Sequence, residues 1–68
     1  MRLSARNQLK GTITENIHGP VSTEVIIDVN GGQVVSSITT DAANALDLKV
    51  GDQVTAIIKA SSVMVGKD

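Results

Sequence analysis

The chain has 68 residues, with six basic and seven acidic side chains, a formal net charge of −1, one histidine, no cysteine and no aromatic residue. Disulfides and thiolate zinc sites are excluded along with cysteine, and a single histidine cannot build a metal cluster. A near-neutral chain sets up no broad field for nucleic acid or an anionic membrane, so any anion site has to be made locally.

Residues 1–68 read as one domain, too short to hold a second and small enough to be marginal alone. Without aromatic side chains the core must come from Val, Ile, Leu, Ala and Met. Each such aliphatic contributes roughly 1.5–3 kcal/mol when buried, a narrow margin over conformational entropy in so short a chain. With disulfides and structural metals gone, association with further copies of the chain is the remaining remedy. No apolar run approaches the length of a membrane span, and no cationic-then-apolar leader opens the sequence. Met1 leads straight into patterned sequence, so the expectation is a cytoplasmic protein with no membrane partner.

Period-two alternation dominates the chain. Asn7 to Ile17 reads as a long strand with Leu9, Gly11 and Ile13 on one face, and Gly11 within it predicts a bulge or sharp bend. His18-Gly19-Pro20 is a turn. From Val21 to Val29 the odd positions are Val, Thr, Val, Ile and Val while the even ones are mostly polar, which describes a strand with one buried face. Asn30-Gly31-Gly32 tolerates positive φ and makes the next turn. Gln33 to Thr39 follows as a strand with Val34 and Ile38 inward and Val35 outward.

A short helix is predicted over Asp41 to Leu46. Thr40 serves as its N-cap, Asp41 suits the positive end of the helix dipole, and three alanines favour the helix. Leu46 and Leu48 then turn inward, and Lys49-Val50-Gly51-Asp52 loops back. Gln53 to Lys59 and Ser62 to Val65 read as two further strands around Ala60-Ser61. Five strands with one short helix between the third and fourth match an all-β fold, a small OB-like Greek-key barrel.

Several strands carry apolar residues on both faces: Ile26 beside Ile27, Val34 beside Val35, Ile57 beside Ile58, and Met64 between Val63 and Val65. Isolated surface aliphatics are common and would explain any one of these. The small-domain argument favours the other reading, in which a second subunit covers the outer face.

Three clusters offer donors to an anion. Ser4-Ala5-Arg6 puts a hydroxyl and a guanidinium on one side of an extended segment, with a small residue between them. Lys59-Ala60-Ser61 ends an apolar strand with a cation beside small residues, whose backbone N–H groups an anion can approach closely. Ser36-Ser37-Ile38-Thr39-Thr40 leads hydroxyls into a helix N-terminus. Each alone has an ordinary explanation: a solvated N-terminal segment, a strand-terminal lysine with a serine turn, and a helix cap. Together they outline a site of donors only, with no carboxylate inside Ser4–Arg6 or Lys59–Ser62.

A nucleic-acid-binding OB module would want aromatic residues and a basic groove, and the chain supplies neither. An enzyme would need a nucleophile with its base or paired carboxylates; Asp28, Asp41, Asp47 and Asp52 fall in turn, cap and loop positions instead. A purely structural self-assembly module stays open, because two-faced strands would suffice for it.

At this point the sequence resembles a known family. Ser4-Ala5-Arg6-Asn7-Gln8-Leu9-Lys10-Gly11 is similar to the SARNQLKG opening of molbindins, the Mop-type proteins. Glu24-Val25 following Gly19-Pro20-Val21 resembles their G-x-V-x-x-E-V stretch, and Ser37-Ile38-Thr39 their central strand. Thr55-Ala56-Ile57-Ile58-Lys59-Ala60-Ser61 with Val63-Met64 resembles their closing T-A-x-I-K-x-S-x-V-M. The similarity runs from about Met1 to Val65. It implies an OB-type barrel that binds molybdate or tungstate without transforming it, for intracellular storage or homeostasis. It also implies a homohexamer, a trimer of dimers, with ligand sites between subunits. By resemblance Ser4, Arg6 and Lys59 contact the oxyanion, Ala5 and Ala60 offer backbone amides, and Thr39 reaches the site from a neighbouring subunit. Ala60 stands where some relatives have serine; Ser61 is placed to compensate. A second oxyanion site near a symmetry axis is implied at the turn His18, Gly19, Val21 and Ser22.

Overall fold

The alternating segments become strands because each has one apolar and one polar row, and a sheet buries the first while leaving the second in water. The computed structural model describes all residues, 1–68. It contains β1 (Asn7–His18), β2 (Ser22–Val29), β3 (Gly32–Thr39), the helix α1 (Thr40–Ala45) and β4 (Gln53–Ile58), followed by a 3₁₀ turn at Ala60–Ser62. The strands form one antiparallel sheet in the order β3-β2-β1-β4, curled as half a barrel. As expected, the fold is all-β with one short helix between the third and fourth strands.

The core lies along the inner face. Ile13 pairs with Ile27, and Ile27 with Val34, so three aliphatics stand side by side across three strands. Ile13, Val25, Ile27 and Ala56 are buried, with Val29, Val34, Ile38, Leu48 and Val54 packed against them. Only seven of the 68 residues are buried in the single chain. The inner face continues into an open apolar trough of about 280 Å³ between β3 and β4, lined by Val34, Ile38, Leu46, Leu48, Val54 and Ile58 among others. On the outer face Ile17, Val35 and Ile57 are exposed, as the two-sided apolar pattern anticipates for the last two.

Four expectations are corrected. The fifth strand, Ser62–Val65, does not form. Ser62 N donates to Lys59 O (2.9 Å) and Val63 N to Ala60 O (3.2 Å), which coils the chain directly after β4. Val63 is extended, the residues beyond it meet no ladder partner within one chain, and Met64 and Val65 are each 93% exposed. Val21 is not an inward strand residue: β2 begins at Ser22, and Val21 stands exposed in the preceding turn. The N-cap is Thr39, one residue earlier than expected, with its Oγ1 accepting from Ala42 N at 3.1 Å. Leu46 caps the helix C-terminus and is exposed at the lip of the trough, while Leu48 is half-buried.

The irregularity in β1 is also displaced. The register shifts between Ile13 and Glu15, so Thr14 is the extra residue, and its Oγ1 donates to Ile26 O at 3.3 Å. The bulge reverses the alternation: beyond it Asn16 faces inward, with Nδ2 donating to Leu48 O at 3.0 Å, and Ile17 faces out. Gly11 is needed for another reason. A Cβ there would strike the Asp28 carbonyl oxygen and lie 2.7 Å from Ile27 Cγ2 and 2.9 Å from Val29 Cγ1. Gly11→Ala is therefore expected to lower stability by about 1–3 kcal/mol, the range for overpacking. Urea unfolding of wild type and variant checks this, and an unchanged midpoint would contradict the close approach.

Candidate anion site

Pairing of the first and last strands decides which donors meet. β1 and β4 run antiparallel from Thr12↔Gln53 to Asn7↔Ile58. Ser4-Ala5-Arg6 leads into the last rung of that ladder, and Lys59-Ala60-Ser61 leaves it. The two donor clusters, more than fifty positions apart in the chain, thus share one end of the sheet, and Arg6 and Lys59 leave the Asn7–Ile58 rung side by side.

Local hydrogen bonds shape both segments. Gln8 Nε2 donates to Ala5 O at 2.7 Å and pins the approach to β1. The 3₁₀ turn consumes the carbonyls of Lys59 and Ala60, while the N–H groups of Ala5, Arg6, Ala60 and Ser61 donate to no backbone acceptor. Such unspent amides are the usual condition for receiving an anion. Arg6 and Lys59 are exposed and have no carboxylate partner; the chain's one ion pair joins Lys49 to Asp47 at 3.3 Å, on the surface. Two cations flanking the same end of a ladder repel one another, and a bound anion would offset that repulsion. In the single chain these donors form an open surface, and none of the six residues lines the apolar trough.

Thr39 is not with them. It ends β3, opposite Ser22 at the start of β2, at the other end of the sheet. There it neighbours the turn His18, Gly19, Val21 and Ser22, the second predicted site. Because Thr39 Oγ1 accepts from Ala42 N, its own hydroxyl hydrogen is free for another acceptor. Around the turn, His18 Nε2 lies 3.3 Å from Asn44 Oδ1, Gly19 N donates to Ser22 O (3.1 Å), and Thr40 N donates to Val21 O (2.8 Å). Thr40 Oγ1 donates to Gly19 O at 2.6 Å and lies 2.9 Å from Thr23 Oγ1, a buried pair of hydroxyls.

Sequence reasoning missed Gln8, Thr40 and Asn44 as residues that position these segments. Thr40 alone had a detectable signal, a hydroxyl beside a helix start. The other two are ordinary polar residues until the fold supplies their partners.

A half-barrel sheet with a short helix between its third and fourth strands, and basic, amide-rich segments at one end, defines a small OB-type domain. The chain belongs to the molbindin (Mop-type) proteins of the TOBE domain family, whose family model matches residues 3–65. A probable molybdenum-pterin-binding protein of Haemophilus influenzae is 51% identical over 67 residues, covering 97% of each chain. Among solved structures, a molybdate binding protein from Sporomusa ovata superposes with a TM-score of 0.92 at 40% identity, over 98% of this chain and all of that one. The molybdate-bound form of the cytoplasmic molybdate-binding protein ModG gives 0.88 at 43% identity; the match covers 94% of this chain and 46% of ModG. No helix of the chain is long and apolar enough to cross a membrane.

The cap geometry yields a direct test. Thr39→Ala removes the acceptor for Ala42 N and is expected to cost about 0.5–2 kcal/mol, whereas Thr39→Ser should retain most of it. Thermal unfolding of the two variants checks this; equal losses in both would show that the hydroxyl is not the capping group.

Proposed function

We propose that the chain, as one 68-residue domain, binds molybdate or tungstate non-covalently between copies of itself, for intracellular storage or homeostasis of the element. One observation carries this reading. Two cations without counter-charge and several unspent amides converge at one end of a sheet whose solved neighbours include molybdate-binding proteins. Ser4, Ala5, Arg6, Lys59, Ala60 and Ser61 form the binding half supplied by one chain. Thr39, at the far end of the sheet, joins it from a second chain, and the turn His18, Gly19, Val21 and Ser22 makes a second site.

Self-association is part of the proposal. A chain that buries seven residues and leaves an apolar trough and Val63-Met64-Val65 uncovered gains from a partner. A homohexamer built as a trimer of dimers would supply it. Binding without turnover is the further claim, since the converging side chains include no carboxylate, thiol or imidazole. The relative named for a molybdenum-pterin raises the question of the organic ring. This chain has no aromatic residue to stack on one, which favours the inorganic oxyanion.

Selectivity would follow from size and protonation. Molybdate and tungstate share sulfate's charge and shape but are larger, so donors set for them stand too far from sulfate and stay unpaired. Phosphate keeps a proton at neutral pH, and a donor-only site gives that proton no acceptor. Calorimetry is expected to find molybdate and tungstate alike and sulfate far weaker; equal sulfate affinity would overturn the donor-spacing argument.

Arg6→Ala and Lys59→Ala each remove a charged donor worth about 1.5–3 kcal/mol, so molybdate affinity is expected to fall roughly tenfold to a hundredfold in each. Native mass measured alongside should show the assembly intact. Unchanged affinity in both variants would leave the chain as a structural self-assembly module, the reading that the two-faced strands also support.

A further inference from the structure

An asparagine cyclises when the next backbone nitrogen can reach its side-chain carbonyl, and a following glycine removes the Cβ that would obstruct the approach. Of the four asparagines in the chain, Asn30 alone precedes a glycine. It shares with Gly31 the two-residue loop between Val29 and Gly32, the last pair of the β2–β3 ladder. Little holds that loop. Asn30, Gly31 and Gly32 are exposed, Gly31 N donates to no backbone acceptor, and a Cβ built on Gly31 or Gly32 would meet nothing within 4 Å. Gly31 sits at φ +92°, where a side chain would be strained, so the residue that clears the way to the nitrogen is also the one the turn needs. The other three asparagines are held. Asn7 lies in β1 paired with Ile58 and precedes Gln8. Asn16 precedes the β-branched Ile17 and donates to Leu48 O at 3.0 Å, and Asn44 lies in α1 with its Oδ1 3.3 Å from His18 Nε2.

We propose that Asn30 is a covalent modification site, converted with water as the only co-reactant to aspartate and isoaspartate while the protein stays folded. Gly31 N, losing its proton, bonds to Asn30 Cγ; the Cγ–Nδ2 bond breaks, and the amide nitrogen leaves as ammonia. Water then opens the cyclic imide at one of its two carbonyls. Attack at Cγ releases an ordinary aspartate, whereas attack at the main-chain carbonyl leaves Gly31 joined through Cγ as isoaspartate. Either product adds one negative charge to a chain whose formal net charge is −1. Only isoaspartate lengthens the backbone, by the Cβ methylene, in a loop whose length fixes the turn and the register. Val29, at the root of that loop, packs against the core, and Val34, on the strand beyond it, lines the trough. Isoaspartate therefore loosens this edge of the sheet, and aspartate, an accepted turn residue, does not.

The test incubates wild type, Asn30→Ser and a capped peptide of residues 28–33 side by side at mildly alkaline pH. Peptide mass mapping and isoaspartate-specific methyl transfer follow the products. Wild type should exchange NH for O at Asn30 with Asn7, Asn16 and Asn44 unchanged, and Asn30→Ser should give neither product. The rate in the folded protein should lie within about tenfold of the peptide's, the loss imposed by a loop that opens at small local cost. A folded Asn30 slower than that, or no faster than the other three asparagines, overturns the proposal, because conversion would then require global unfolding. Ion exchange separates the two acidic products from the parent chain. The isoaspartate form should unfold roughly 4–8 °C below wild type, the shift that loss of one turn brings in a domain of this size. The aspartate form, matched by Asn30→Asp, should keep the wild-type midpoint; equal midpoints for the two products would overturn the claim that the added methylene loosens the sheet.

Discussion

The ladder between β1 and β4 ties the start of the chain to its end, and the rest of the molecule is arranged around it. It runs from Thr12↔Gln53 to Asn7↔Ile58 and is extended by Ile13 N to Asp52 O at 2.9 Å. Closing a contact of such sequence separation costs chain entropy that local turns do not incur. The return is a row of inward residues, Ile13, Ala56 and Val54, that completes the small core. The same ladder delivers Arg6 and Lys59 to one place. The candidate site and the core therefore rest on one set of backbone hydrogen bonds, and a change that frays β4 would disturb both.

The two ends of the sheet have different characters. At the β1–β4 end, donors are exposed, the cations lack partners and the segments are held by single bonds such as Gln8 to Ala5. At the β2–β3 end, the turn is fastened from inside by Thr23 and Thr40, two of the seven buried residues and the two polar ones. Spending two buried hydroxyls on a surface turn is costly unless they satisfy one another and a carbonyl, and here they do. Thr39 belongs to this second end. A site that uses it together with Arg6 and Lys59 must join one end of one chain to the opposite end of another.

That requirement agrees with the packing. A half-barrel of aliphatic residues without an aromatic cannot close over its own inner face, and the trough between β3 and β4 is what remains open. Exposed Val35 and Ile57 beside it, and the uncovered Val63-Met64-Val65, are of the kind that a subunit interface removes from water. An oxyanion held between chains would then also stabilise their association, because it binds only where both are present.

The pattern of alternating residues was enough to place β2, β3 and most of β1 and β4, the short helix, and the all-β class, since period and turn chemistry are local properties of the chain. Resemblance at Ser4–Gly11 and Thr55–Met64 was enough to single out the family and the candidate donors. Other features depended on partners far away in sequence. The bulge moved to Thr14 because the opposing row in β2 set the register, and Gly11 was required by the Asp28 carbonyl, not by a bend. Ser62–Val65 alternates like a strand but finds no edge to pair with in one chain, so it joins no ladder. Thr40 looked like a cap, yet the neighbouring Thr23 and the Gly19 carbonyl drew it into the interior and left the cap to Thr39. Local sequence sets what a segment can become; which donors meet, and which are left unspent, is settled only when distant strands pair.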